Sequence, residues 1–250
     1  MSSPGWLVLG ERAVIRSSRN SASIIGAIVF PLLFFALFML VMQRVMSSRG
    51  FDYRQQLPSA IVIQAMLFTA MSSTYYVADD RLSGIMARLR SLPLAGYAPL
   101  LGRSLADVAR ALVSITVVLI VGAIVGMRFE DGLIWLPAYI GVAVLFTMAM
   151  SLLLGLIAYM SPSVEGAVSI ATIPYLPMIM LSSAFAPIED FPDWLEPIVR
   201  WQPVTVTIDT LRALAGTGDV AEPLMASIAW SVGLILVAGA LGARAVRRTT

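Results

Sequence analysis

The chain contains no lysine, no histidine and no cysteine. Each absence removes a class of chemistry. Without lysine there is no P-loop, whose lysine reaches the β- and γ-phosphates of a nucleotide, and no Schiff base. Without histidine or cysteine there is no conventional zinc site, no Ser-His-Asp triad and no thiol nucleophile. Disulfides are impossible, so cysteine usage is silent on redox compartment. Any energy drawn from ATP must enter through another polypeptide. Charge is scarce as well: 13% of the 250 residues are charged and 58% are hydrophobic. All 17 basic side chains are arginine.

What is present is apolar sequence in long runs. Six stretches free of charged side chains make up about half of the chain: 23–42, 58–77, 111–127, 133–159, 166–183 and 223–242. A helix rises about 1.5 Å per residue, so roughly 20 residues cross a hydrocarbon core of roughly 30 Å. Lipid offers the backbone no hydrogen-bond partner, which a continuous helix does not need. The expected fold is an all-α membrane protein with six spans. The first run is about 20 residues long, too long for the apolar region of a signal peptide, and Gln43-Arg44-Val45-Met46 is a poor cleavage site. It is expected to stay as a span.

Arginine placement predicts orientation. With both termini inside, the inner segments 1–22, 79–110, 160–165 and 243–250 hold 11 Arg against 5 acids. The outer segments 43–57, 128–132 and 184–222 hold 6 Arg against 10 acids. Arg44, Arg49 and Arg54 run against this bias. Three regions follow: an interfacial helix within 1–22, one transmembrane domain over 23–243, and a basic tail at 244–250.

Residues 6–19 read as an amphipathic surface helix, with Arg12, Arg16 and Arg19 on one stripe and Trp6, Leu9 and Ala13 facing lipid. It either anchors the chain or braces it against a partner. Pro31 predicts a kink in the first span. Gly122 and Gly126, and Gly239 and Ala243, stand four apart. Such pairs let backbones approach closely, for packing within the chain or for a seam between copies.

Between the second and third runs, Asp79 and Asp80 favour a helix N-terminus and Pro93 a stop. Ile85, Met86, Leu89 and Leu92 form an apolar stripe while Arg81 and Arg88 stay polar. A short amphipathic helix is expected over 80–92, with helix resuming at Pro99. Arg103, Asp107 and Arg110 could pair there as the chain enters the third span. Pro174 and Pro177 predict a bent or broken fifth span. After it, 184–203 alternates aromatics, acids and prolines and reads as short helices dipping into the outer leaflet, with Trp194 and Trp201 at headgroup depth. Residues 205–213 would be the second of these, closed by Gly216 and Gly218. The segment serves either as an aromatic anchor or as a gate.

The order of these parts resembles the type 2 ABC export permeases, the family of daunorubicin-resistance-type drug exporters and of lipid and polysaccharide exporters. An acidic–Arg–x–x–Gly–x–x–x–Arg–Leu–x–x–x–Pro pattern is met by Asp80, Arg81, Gly84, Arg88, Leu89 and Pro93. The turn Ser161-Pro162-Ser163-Val164-Glu165-Gly166-Ala167 is similar to the family's short link before the fifth span. Ala184-Phe185-Ala186-Pro187, Phe191-Pro192, Trp194-Leu195, Pro203 and Leu211-Arg212-Ala213-Leu214 follow its outer run. Ala87 and Ile85 depart from the frequent Glu and Thr.

The resemblance implies a dimer of permeases, identical or homologous, in a bacterial plasma membrane. Two separate ABC ATPase subunits would dock beneath it and bind the ATP and Mg. No cofactor, metal or catalytic residue is implied in this chain, and no nucleic-acid partner. Asp80, Arg81, Gly84, Ile85, Met86, Arg88, Leu89, Arg90 and Pro93 would form the coupling helix. Phe185, Phe191, Trp194, Leu195 and Trp201 would line a re-entrant outer gate for a hydrophobic or amphiphilic cargo such as a drug or lipid. A plainer reading of 80–92 is a helix lying flat on anionic lipid. Three rivals stand beside the exporter. A proton-coupled transporter would keep mid-membrane charges, and Asp107 and Glu165 are its nearest candidates. A lipid-modifying enzyme would use Glu189, Asp190, Asp193 and Glu196. A scaffold subunit of an export complex is the third.

Overall fold

The computed structural model describes residues 21–50, 52–84, 98–216 and 218–247. Eight helices and two 3-10 turns make up the described residues, with no strand among them. They are α1 (Ser21–Ser48), α2 (Tyr53–Leu82), α3 (Ala98–Val125), a turn at Leu133–Trp135 leading into α4 (Leu136–Met160), and α5 (Val164–Met180). A second turn at Ile188–Asp190 precedes α6 (Glu196–Trp201), α7 (Pro203–Leu214) and α8 (Ala221–Arg247). Five stretches are long and apolar enough to cross a bilayer: Gly26–Ser48, Tyr53–Leu82, Leu105–Val125, Leu133–Met160 and Ala221–Gly242. The apolar helix α5 has 17 residues and so reaches only about 26 Å.

α2 is the hub. It packs on α1, α3, α4, α5 and α7, most extensively on α4. Its polar residues Gln55, Ser59, Gln64, Thr69, Ser73 and Thr74 are all buried, so they face protein instead of lipid. Lipid tails are as apolar as leucine, so helices in a bilayer associate through close packing and hydrogen bonds. Both are visible here. Ala60, Ala65 and Ala70 on α2 and Ala143 and Ala149 on α4 are buried small residues beside Leu57, Met66, Tyr139, Phe146 and Met150. Large apolar side chains elsewhere turn outward: Leu33, Leu37 and Leu40 on α1, Ile124 on α3, Leu236 and Leu241 on α8.

Pro31 stands inside α1, which runs on through it. A proline has no N–H, so the carbonyl four residues back, that of Ala27, loses its helical donor. The Ser114 hydroxyl of α3 supplies one at 2.9 Å. One proline thus creates an acceptor, and a neighbouring helix is pinned to it. α5 likewise stays helical through Pro174 and Pro177 to Met180, with Leu181 as its cap; of the bend or break expected there, the break does not occur.

Helix ends differ from the apolar runs. α1 and α2 extend past them, so the connection between these helices is only 49–52 instead of 43–57. Asp52 caps α2, its side chain accepting from the Gln55 N–H, and Ser163 caps α5 by accepting from the Gly166 N–H at 3.0 Å. Asp79, Asp80 and Arg81 lie in the last turn of α2. The helix start expected at Asp79–Asp80 is therefore a helix end: α2, buried along its apolar, hydroxyl-rich face, continues five residues beyond the charge-free run that ends at Val77. Residues 1–20 and 85–97, including the surface helix expected over 6–19, lie outside the described residues.

Candidate functional site

Two polar constellations mark the two ends of the bundle. The near end is where α2 stops and α3 begins, flanking 83–97. There α2 closes with Ser83, whose N–H bonds the carbonyls of Arg81 and Asp79, and Gly84 follows at φ +74°. Arg81 reaches across to α4, donating from Nη1 to the carbonyls of Tyr159 and of Ser161, the latter at 3.0 Å. Its guanidinium also lies 4.9 Å from the centre of the Tyr159 ring. The last carbonyls of a helix lack intrahelical donors and sit at the negative end of its dipole, so a cation is well placed there.

Nine residues inward along both helices, a second tie joins α2 to α3. The Ser73 hydroxyl donates to Asp107 Oδ2 at 2.7 Å, and Arg110 donates to Asp107 Oδ1. The Arg110 guanidinium lies 5.4 Å from the centre of the Tyr76 ring. Ser73, Asp107 and Arg110 are buried. Breaking such a pair strands a buried charge, which costs more than the pair contributes. Among the coupling residues, Asp80, Arg81 and Gly84 are thus on or just past α2. Ile85, Met86, Arg88, Leu89, Arg90 and Pro93 lie outside the described residues.

The far end gathers 49–52, 126–132, 181–190 and 212–216. Gln55 organises it. Its amide donates to the carbonyls of Arg128 at 2.6 Å and Ala215 at 3.1 Å and accepts from the Arg128 N–H at 2.9 Å. Arg212 donates to the Ser183 carbonyl at 2.9 Å and pairs with Asp209 at 3.3 Å, and the Ser183 hydroxyl donates to Asp209 at 2.9 Å. Burial raises the Asp209 pKa and lowers that of Arg212, each opposed by the charge of the other. Gln202 donates to the Leu181 carbonyl and to Thr205. Gly216 adopts φ +99°, and a Cβ there would fall 2.5 Å from that of Glu130. Only glycine lets 212–216 lie against the 126–132 turn.

The expected gate residues divide. Phe185 turns inward and stacks on Phe38 of α1, ring centres 4.3 Å apart. It lines a pocket of about 180 Å³ with Tyr53, Ser183, Asp209 and Arg212. Trp194 and Trp201 turn outward, 73% and 54% exposed, while Phe191 and Leu195 are half-buried. α7 is the segment's buried part, packed on α2, α4 and α8. Asp190 pairs with Arg49 at 2.7 Å and Glu196 with Arg200 at 2.6 Å, so these acids already have cationic partners.

The small-residue pairs divide too. A Cβ on Gly122 would meet the Pro58 ring at 3.1 Å, so this glycine serves α2–α3 contact within the chain. Gly126, at φ +120°, ends α3: its N–H and that of Met127 return to the Gly122 carbonyl. Gly239 faces open space, and the side chain of Ala243 lies outside the description. The composition pattern could not separate these roles.

Residues 5–215 match the ABC-2 type transporter family. The chain belongs to this family. It is similar to the probable doxorubicin resistance ABC transporter permease protein DrrC of Mycobacterium tuberculosis, 30% identical over 239 residues that cover 92% of this chain and 84% of the relative. It also resembles that organism's DrrB, 26% identical over 189 residues (73% and 65%). Daunorubicin resistance permease DrrB1 of Streptomyces coeruleorubidus is 23% identical over 230 residues (92% and 78%). The chain is thus a multi-pass membrane permease of an ABC transporter, a transport component and not an enzyme. Gln55 and Ser114 were missed in the sequence; their backbone partners lie 73 to 160 residues away.

Proposed function

We propose that this permease forms six spans, α5 being the short one, with both termini inside a bacterial plasma membrane. It pairs with a second permease, identical or homologous, above two ATPase subunits that bind ATP and Mg. Its cargo is hydrophobic or amphiphilic, the class to which doxorubicin and daunorubicin, named for its relatives, belong. The outer segment 184–213 re-enters the far leaflet as the exit gate.

One observation carries the reading: α2 and α3 flank 83–97 and are clasped near that end by Ser73, Asp107 and Arg110. A push on that end moves both helices together. Because α2 also packs on α1, α4, α5 and α7, the displacement reaches the Gln55 and Arg212 network at the opposite end. Packed interfaces respond as bodies, which is how an ATPase closure would bias inward- and outward-facing states. A proton-coupled cycle fits less well, since both Asp107 oxygens are engaged. Arg88→Glu combined with Leu89→Asp tests the reading. The permease should still insert, while its co-purification with the companion ATPase and cargo-stimulated hydrolysis fall together. Unchanged coupling would refute the role given to 80–92.

A further inference from the structure

A cleft of about 320 Å³ opens between α1, α2 and α3. Gly26 and Ala27 form its thin wall, and Phe30, Phe68, Tyr75 and Tyr76 its aromatic one. The Pro31–Ser114 arrangement holds α1 against α3 at its edge. Small-molecule sites of roughly 300–1,000 Å³ share this character, apolar walls with a few convergent polar groups. Here the charged lining residue is Arg110. Asp107 engages one end of its guanidinium, while the buried Nε–H has no acceptor among the described residues. A buried donor without a partner is costly, and an occupant bringing an acceptor removes that cost. The Asp107–Arg110 pair carries no net charge, so it favours an uncharged acceptor over a phosphate.

We propose that this cleft is a cargo subsite for an apolar aromatic molecule carrying an uncharged acceptor oxygen, such as a ketone or amide, bound against Phe30, Phe68 and the tyrosines with its oxygen toward Arg110. The proposal rests on the exporter reading for the word cargo, but not for the binding itself. The full chain in phosphatidylcholine nanodiscs is labelled with benzophenone under ultraviolet light, and the adducts are located by peptide mass spectrometry. Saturable adducts are expected within 26–31 and 68–76. Gly26 has open space around its missing Cβ. Gly26→Trp should therefore fill the cleft and cut these adducts about tenfold, while Gly26→Ala leaves them. Ser72→Trp gives the same occlusion from α2 if the first variant inserts poorly. Benzanilide, which keeps a carbonyl, should compete roughly five- to tenfold better than diphenylmethane, the gain of about one hydrogen bond.

Three results would overturn the proposal: adducts spread along the outward helix faces and indifferent to Gly26→Trp, equal competition by the two compounds, or displacement by added phosphatidylglycerol. Labelling needs no ATPase. Loss of ATP-driven flux with the adducts intact would sink the exporter reading and leave the site; flux without these adducts would do the reverse.

Discussion

At the far end of the bundle, Gln55 and Arg212 reach backbone groups of three other segments, whereas near 83–97 the clasp between α2 and α3 runs entirely through side chains. A backbone acceptor cannot move without its segment, so the far end behaves as one braced unit. The near clasp joins two helices, and at that end Arg81 alone of the residues described above adds a backbone tie, from α2 to the last carbonyls of α4. Force applied at 83–97 therefore has one stiff path, α2, toward a plate that resists local deformation.

The comparison breaks most severely at Asp107. Asp107→Leu strands the buried Arg110 guanidinium and should cost about 3–5 kcal/mol. Loss of monodisperse protein on heating in detergent reads this directly, and Asp107→Leu with Arg110→Leu should recover most of it. Gln55→Leu comes next. It leaves the Arg128 and Ala215 backbone groups without their partner, a loss of about 2–3 kcal/mol in the same assay. Gly216→Ala should cost about 1–3 kcal/mol, because the left-handed backbone and the Glu130 side chain both oppose a Cβ. Arg49→Ala removes an exposed ion pair and should shift stability by less than about 0.5 kcal/mol. Equal losses for Gln55→Leu and Arg49→Ala would mean that the far end is not braced as described.

Five of the six expected spans coincide with helices long and apolar enough to cross a bilayer, legible because charge-free runs of bilayer length admit little else. α4 falls almost where its run does, and the turn at Ser163, the restart of helix near Pro99 and the presence of helix at α7 were also legible, although the burial of α7 against α2, α4 and α8 was not. The end of α2 was not. Two adjacent acids imitate a helix start, and only the packed face of α2 shows that the helix continues through them. In α5 the two prolines left a bend and a break equally open, and the break does not occur, since a membrane helix tolerates proline when neighbouring groups take over the freed backbone. At Pro31 that neighbour is Ser114, one serine among many in the sequence. Gly122 and Gly126 share a motif yet do different work, one against Pro58 and the other as a helix stop. Spacing alone cannot tell them apart. The gate aromatics divided for the same reason: Phe185 finds Phe38, whereas Trp194 and Trp201 find no such groove.

Flux into or out of sealed vesicles containing the purified permease, with ATP present and the companion ATPase either included or withheld, tests the central claim most directly. The account predicts cargo movement only with the companion, and its loss in Arg88→Glu/Leu89→Asp. Sustained ATP-independent transport by the permease alone would contradict it.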